Sequence, residues 1–124
     1  MRMKRNRQTV HYLKTRQSKK GNEGNSFVTY GEAKEFIGEV WPASGKAQAE
    51  IYGERLSYIR NVKIKGKYVI TTDREGIVHY VYPDGLDIVE NDGVCLYVPA
   101  DAEPDYKVLS IKPYEPLRME CMKL

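Results

Sequence analysis

The side chains best suited to chemistry are two histidines and two cysteines. His11, His79, Cys95 and Cys121 lie far apart in the chain, and none is paired at the CxxC or HxxxH spacing of a zinc site. A cysteine–histidine pair is formally able to act as nucleophile and base, but nothing local activates either thiol. Each cysteine lies in an alternating apolar run, which predicts a buried free thiol, and we expect His79 to pack beside Tyr80. The sequence therefore predicts no metal, no cofactor and no catalytic residue.

Carboxylates cluster around two turns in the second half of the chain. They are Asp84, Asp87, Glu90 and Asp92. Their oxygens suit calcium, but the EF-hand spacing is absent. Turn chemistry explains the Asp-Gly pairs without a ligand. We therefore predict that the protein is not an enzyme.

Charge is distributed unevenly along the 124 residues, although the net charge is only +3. Residues 1–20 hold eight basic groups and no acid, whereas the remaining residues hold 12 basic and 17 acidic groups. Two interpretations of the basic arm, residues 1–7 and the strand after it, stay open. It is either a solvated, frayed terminus or a segment that docks on an acidic neighbour or on nucleic-acid phosphate.

The elements that must position these groups are mainly short strands. A central strand is predicted over Phe36–Trp41, and Pro42 ends it because proline cannot donate to a ladder. The polar loop that follows contains at most one short helix, over Lys46–Tyr52, which we expect Ser44 to cap at its start and Gly53 to cap in a left-handed conformation at its end.

Further β-rich runs are bounded by glycine, proline and asparagine. Residues 16–25 are predicted to be a loop, and a hairpin turns at Asp73–Gly76. The other predicted strands are Gln8–Lys14, Ser26–Tyr30, Tyr58–Ile64, Tyr68–Thr72, Ile77–Tyr82, Leu86–Ile88, Val94–Val98, Asp105–Lys112 and Glu115–Lys123. This pattern predicts one all-β domain over residues 1–124, a small antiparallel β-barrel or sandwich. No stretch has the roughly 20 apolar residues of a membrane span, and no signal peptide is evident, so we expect a cytoplasmic origin and no membrane partner.

The order and spacing of these pieces resemble the phage head–tail joining family, the head-tail adaptor, head-closure or stopper proteins of tailed phages and prophages. The resemblance is diffuse and covers most of the chain. The matching pieces are Gln8–Tyr12, Phe27–Tyr30, Phe36–Trp41 with Pro42-Ala43-Ser44-Gly45, Glu50 with Tyr52-Gly53, Asn91-Asp92-Gly93, Asp105–Val108 and Leu117–Leu124. The hairpin Tyr68–Tyr82 is an insertion relative to the simpler family pattern.

The resemblance implies a non-enzymatic structural protein of the virion neck, assembled in the bacterial host cytoplasm. It implies a ring of copies of this chain that joins the portal or adaptor ring to a tail-completion protein and helps to close the channel on packaged DNA. By position, the loop Pro42–Leu56 would face the channel. Lys46, Gln48 and Glu50 would be its polar groups nearest the channel, and Trp41 would anchor its base.

The surfaces that meet a neighbouring subunit or partner are expected on the basic arm and on the inserted hairpin. Arg5 and Arg7 represent the arm, and Tyr80 and Tyr82 represent the hairpin. The alternative from a different class is a small nucleic-acid-binding barrel that uses the basic arm and exposed tyrosines, because aromatic rings stack on the bases of single strands. The acidic body disfavours this alternative, since phosphate binding needs a basic face.

Overall fold

The computed structural model describes residues 7–20 and 26–124, and most of these residues lie in antiparallel strands. One helix, α1 (Lys46–Tyr52), is followed directly by a 3₁₀ helix at Gly53–Tyr58. The strands are β1 (Gln8–Lys20), β2 (Ser26–Pro42), β3 (Ile59–Ile64), β4 (Val69–Thr72), β5 (Val78–Val81), β6 (Asp87–Ile88), β7 (Gly93–Cys95), β8 (Tyr106–Lys112) and β9 (Leu117–Lys123).

Six of these strands close into a barrel in the order β1-β2-β3-β9-β8-β7, with β7 pairing back to β1. The other three form a separate sheet in the order β4-β5-β6, which is inserted between β3 and β7. The predicted all-β class is confirmed, and the architecture is a barrel rather than a sandwich. Because the barrel is closed, each of its six strands has a hydrogen-bonded neighbour on both sides.

The core fills the barrel and extends under the inserted sheet. Val62, Val94, Val108 and Leu117 have no exposed surface, and Tyr82, Leu86 and Ile88 of the insertion belong to the same cluster. The inserted sheet is therefore packed on the barrel through apolar side chains, so that barrel and insertion share one core.

The hairpin of β1 and β2 is longer than the sequence predicts. The prediction of a loop at residues 16–25 is wrong for its first part, because Arg16 pairs with Tyr30 and Lys20 pairs with Ser26. The prediction of two separate strands, Ser26–Tyr30 and Phe36–Trp41, is also wrong, since β2 runs without interruption for 17 residues. Past Lys14, β1 has no barrel neighbour other than β2. The part of this hairpin beyond Lys14 is called the β1–β2 arm below.

The segment after β2 agrees with the sequence in most respects. Pro42 ends β2 and α1 spans the predicted residues. The predicted Ser44 cap is wrong, because Gly45 is the N-cap and the Ser44 N–H instead donates to Gln48 Oε1 over 3.1 Å. Gly53 ends the helix at φ 55° and ψ −122°, a positive φ that suits glycine but not the expected left-handed helical conformation.

The predicted hairpin around Asp73–Gly76 is confirmed as β4 and β5. The strand predicted over Val94–Val98 is shorter, because the carboxylate of Asp105 takes the N–H groups of Leu96 and Tyr97 at 2.9 and 3.0 Å and so replaces a ladder there. None of the helices in residues 7–20 and 26–124 is long and apolar enough to cross a membrane.

Candidate functional site

The histidines and cysteines do not converge on one place. Within the described residues, no three side chains of His, Cys, Asp or Glu are arranged to hold a metal ion. Cys95 and Cys121 are buried free thiols, as predicted, and burial raises the pKa of both. His11 is buried, with Nδ1 3.1 Å from the carbonyl of Leu96 and its ring beside Phe36, and burial lowers its pKa. Cys95, Cys121 and His11 are therefore buried structural residues of the barrel.

His79 links the three strands of the inserted sheet. The prediction that it packs beside Tyr80 is wrong, because consecutive strand residues point to opposite faces. Its Nδ1 lies 2.9 Å from the carboxylate of Asp87 on β6, and its Nε2 lies 3.0 Å from Asp73 in the hairpin turn. Only the imidazolium is able to donate from both nitrogens. The hydrogen bonds to Asp73 and Asp87 raise the pKa of His79 and outweigh its partial burial.

The acidic turns use their carboxylates for the backbone, as turn chemistry predicts. Asp84 accepts the N–H of Leu86 over 3.1 Å. Asp92 is buried and accepts the N–H groups of Arg16 and Val89 over 3.0 and 3.3 Å, so it ties β1 to the turn before β7. Burial raises the pKa of Asp92 to about 6. Both carboxylates therefore have a structural role, because they accept hydrogen bonds from backbone N–H groups.

Helix α1 lies on the outer wall of the barrel and is held there by a polar cluster. Gln48 Nε2 donates to Asn61 Oδ1 and to Glu120 Oε2, both over 2.7 Å, and the Tyr52 hydroxyl donates to Glu120 Oε1 over 2.7 Å. Lys112 lies 3.5 Å from the same carboxylate. Burial opposes the ionised form of Glu120, but these hydrogen bonds lower its pKa, and burial beside Glu120 raises the pKa of Tyr52.

The residues predicted to face a channel therefore divide into two groups. Lys46 and Glu50 are exposed on α1, whereas the side chain of Gln48 is turned towards the barrel wall and is used within the molecule. Trp41 ends β2 with its ring partly buried, and the guanidinium of Arg118 lies 5.1 Å above it. Gln48 and Trp41 thus anchor the loop, and only Lys46 and Glu50 remain available to a ligand or partner.

The residues predicted to meet a neighbour are also divided. Arg5 lies outside the described residues, and Arg7 is exposed just before β1. The prediction for Tyr82 is wrong, because it is buried in the core and donates to the carbonyl of Ile64 over 3.1 Å. Tyr80 is partly buried against the core, 6.2 Å from the ring of Tyr68. The hairpin therefore turns its tyrosines inwards.

The surface that the sequence did not predict is the outer side of the same hairpin. All four residues of β4 are exposed, and two large aliphatic residues from each side of the hairpin face solvent. They are Val69, Ile70, Ile77 and Val78. A groove of about 460 Å³ separates the hairpin from the base of the β1–β2 arm at Arg16. The inserted hairpin was expected to meet a neighbour through Tyr80 and Tyr82, and its aliphatic residues were not among the predicted contacts.

Comparison of the chain with protein-family models, with curated proteins and with solved structures gives no match. The geometry of the described residues is therefore the basis for a function. Three surfaces stand out: the apolar edge of β4, the β1–β2 arm, and the exposed charges of α1.

Proposed function

We propose that this chain is a non-enzymatic structural protein of the neck of a tailed phage or prophage. In this role, copies of the chain form a ring that joins the portal or adaptor ring to the tail-completion protein and helps to retain packaged DNA. The observation that carries the proposal is that two strands, β4 in the inserted sheet and β1 in the β1–β2 arm, each have an edge with no strand partner among the described residues. Unpaired edges with exposed aliphatic side chains are typical of surfaces that meet another chain.

The resemblance in the order of the strands and in the loop after β2 supports the same role. That loop is hydrogen-bonded to the barrel wall through Gln48 and Tyr52, and it carries Lys46 and Glu50 on its exposed side. A channel lining of balanced charge suits DNA that must slide, because a strongly basic ring would hold phosphate. We assign the channel-facing role to Lys46 and Glu50, with Trp41 and Gln48 as anchors.

The test is deletion of the gene from the phage that encodes it, followed by electron microscopy of the particles. The proposal predicts separate tails and tailless heads, many of them empty, and restoration of tailed particles by a plasmid copy. Normal tailed particles after deletion would refute it. A plasmid copy carrying Lys46→Ala and Glu50→Ala should restore joining but leave more empty heads, whereas Lys65→Ala, an exposed lysine outside this loop, should behave as the wild type.

A second candidate, a nucleic-acid-binding barrel, is favoured by one cluster on the wall. The guanidinium of Arg118 stacks on Trp41, and Lys63 lies opposite Arg118 on the adjacent strand. Glu39 lies 3.5 Å from Lys63 and reduces the positive charge of this cluster. Because Trp41 is the only tryptophan, quenching of its fluorescence by a single-stranded oligonucleotide reports contact here. Quenching that disappears with added salt would favour this candidate, and no quenching would exclude it.

A further inference from the structure

The outer edge of β4 has no partner within the described residues. β4 pairs with β5 on one side, and no other strand lies beside it. The N–H of Asp73 donates to the carbonyl of Ile77 over 3.0 Å, so this pair belongs to the hydrogen-bonded set of the hairpin. Because such pairs alternate along an antiparallel ladder, the backbone N–H and C=O groups of Ile70 and Thr72 point away from β5. They form a row of donors and acceptors that faces outwards.

The side chains around this edge are unusually apolar for an exposed strand. Val69 is 61% exposed and Ile70 is 53% exposed, and Ile77 and Val78 across the turn are also exposed. Natural edge strands are usually protected by proline, a bulge or charge on the strand itself. β4 has none of these, since its sequence is Val-Ile-Thr-Thr and its pairing with β5 is regular. A strand of this kind is suited to the addition of another strand.

The same chain carries a second unpaired edge of a different character. β1 pairs with β7 only from Tyr12 to Lys14, and the N–H of Arg16 is taken by Asp92. Residues 17–20 of β1 are paired with β2 on one side and have no described strand on the other. This edge is part of the arm and projects beyond the barrel.

The charges beside the two edges differ. Residues 14–20 hold four basic groups and no acid, whereas β4 itself carries no charge and the turn that follows it holds Asp73 and Glu75. Asp73 and Glu75 lie at the end of β4 that leads into the turn, and two lysines, Lys65 and Lys67, precede its start. The lysines at the end of β1 are therefore attracted to the end of β4 and repelled from its start.

We propose that β4 of one copy adds to the outer edge of β1, at residues 17–20, of a second copy of this chain. The charges favour a parallel arrangement, in which the end of β1 lies beside Asp73 and Glu75. The contact is heterologous, since it joins two different surfaces, and a heterologous contact gives a ring when its rotation closes and an open filament when it does not. This inference rests on the proposed function for its biological setting, because a neck ring needs such a contact.

The size of the contact determines how it should be measured. A strand of four residues buries much less than the roughly 1,200–2,000 Å² of a standard stable interface. A single contact is therefore weak, and a closed ring gains from the last contact because that contact is made within one assembly. We expect monomers at low protein concentration, with assembly at high concentration that weakens as salt is added.

The first test is sedimentation velocity of the full chain over a concentration series. Thr72→Pro removes the outward N–H and leaves the hydrogen bonds to β5 in place, so it should abolish assembly. Thr72→Val keeps the N–H and should assemble as the wild type does. Circular dichroism and the melting temperature confirm that both variants are folded. Assembly of Thr72→Pro equal to that of the wild type would overturn the inference, as would a wild-type chain that stays monomeric throughout.

The second test uses complementation between two defective copies. Lys19→Glu combined with Lys20→Glu reverses the charge of the other edge and should also prevent assembly. A mixture of this double variant with Thr72→Pro retains one intact contact, so at high protein concentration and low salt it should give heterodimers and nothing larger. Absence of heterodimers, or equal recovery when Thr72→Pro is mixed with itself, would contradict a heterologous contact. Circular dichroism and the melting temperature must again show that both variants are folded before they are mixed.

Failure of this inference and failure of the neck function give different results. If the chain assembles through another surface, Thr72→Pro assembles normally while deletion of the gene still separates heads from tails. If the neck function is wrong, deletion leaves tailed particles, and sedimentation still reports whether β4 joins β1.

Discussion

Helix α1 depends on two side chains for its place on the barrel, and replacing Tyr52 with phenylalanine tests this dependence. The helix has seven residues, none of them buried, and no side chain caps its start. A helix this short is marginal in isolation. The Tyr52→Phe change removes one oxygen, which donates to Glu120 over 2.7 Å, and leaves the ring in place.

The expected magnitude follows from the character of this hydrogen bond. Hydrogen bonds to charged groups contribute about 1.5–3 kcal/mol. Tyr52 is only partly buried and Glu120 keeps Gln48 and Lys112 as partners, so the lower end of that range applies. About 1.4 kcal/mol corresponds to a tenfold change in an equilibrium constant. The local opening of α1 should therefore become roughly tenfold more frequent.

Hydrogen exchange of the backbone amides in α1 measures this opening directly. Exchange at Ala49–Tyr52 should become about tenfold faster in Tyr52→Phe, while the amides of β3 and β9 change little, because they report global unfolding. Tyr58→Phe is the matched control, since Tyr58 is 52% exposed and no partner for its hydroxyl lies in the described part of the chain. Unchanged exchange in α1 would refute the reasoning, and an equal acceleration in β9 would show that Glu120 belongs to the global unit instead.

Three further predictions concern the interior and the inserted sheet. In an NMR titration, the pKa of His79 should lie above 6.5 and that of His11 below it, and a lower pKa for His79 would disprove the carboxylate clamp. The raised pKa of His79 stabilises the folded state below pH 6.5, and this stabilisation should be lost as the pH rises through the folded pKa of His79. The melting temperature of a His79→Gln variant should therefore lack this pH dependence. Neither cysteine should react with a maleimide until denaturant is added, and rapid labelling of the native protein would contradict their burial. Gly93→Ala should destabilise by about 1–3 kcal/mol, because the new Cβ would lie 2.5 Å from Pro104 Cγ, whereas Gly31→Ala has only ordinary contacts and should melt as the wild type does.

The barrel class was predictable because its evidence is local. Apolar and polar residues alternate over Val62–Ile64 and Leu117–Cys121, and turns separate the strands, which indicates half-buried antiparallel strands. The proline at the end of β2 and the helix after it were also predictable, since proline and a small-residue segment act over a few positions. Strand ends were less predictable. The carboxylate of Asp105 shortens β7 from outside that strand, and no local pattern contains this interaction.

The candidate site was harder to predict because its residue roles depend on distant partners. The resemblance places Gln48 near a channel by its position in the loop after β2, and a polar side chain in a polar loop gives no sign of an internal partner. The barrel wall under α1 carries the carboxylate of Glu120, which lies 72 residues from Gln48 in the sequence. Gln48 therefore faces the wall and donates a hydrogen bond to this carboxylate. Tyr82 shows the reverse case, because a tyrosine next to a turn suits an interface and a core equally well. Its buried position follows from the packing of the inserted sheet on the barrel.

The same limit explains why the edge of β4 was not predicted. Val69 and Ile70 are adjacent and apolar, a pattern that in a barrel strand places one side chain in the core and leaves the other at the surface. In the inserted sheet both are more than half exposed, since β4 is the outermost strand and is paired only with β5 among the described residues. Residue type alone therefore suggests a core strand, and only the topology makes β4 an open edge. An apolar strand in that position is costly for a monomer because it promotes association, which is why we interpret β4 as a contact to a second copy rather than as part of the scaffold.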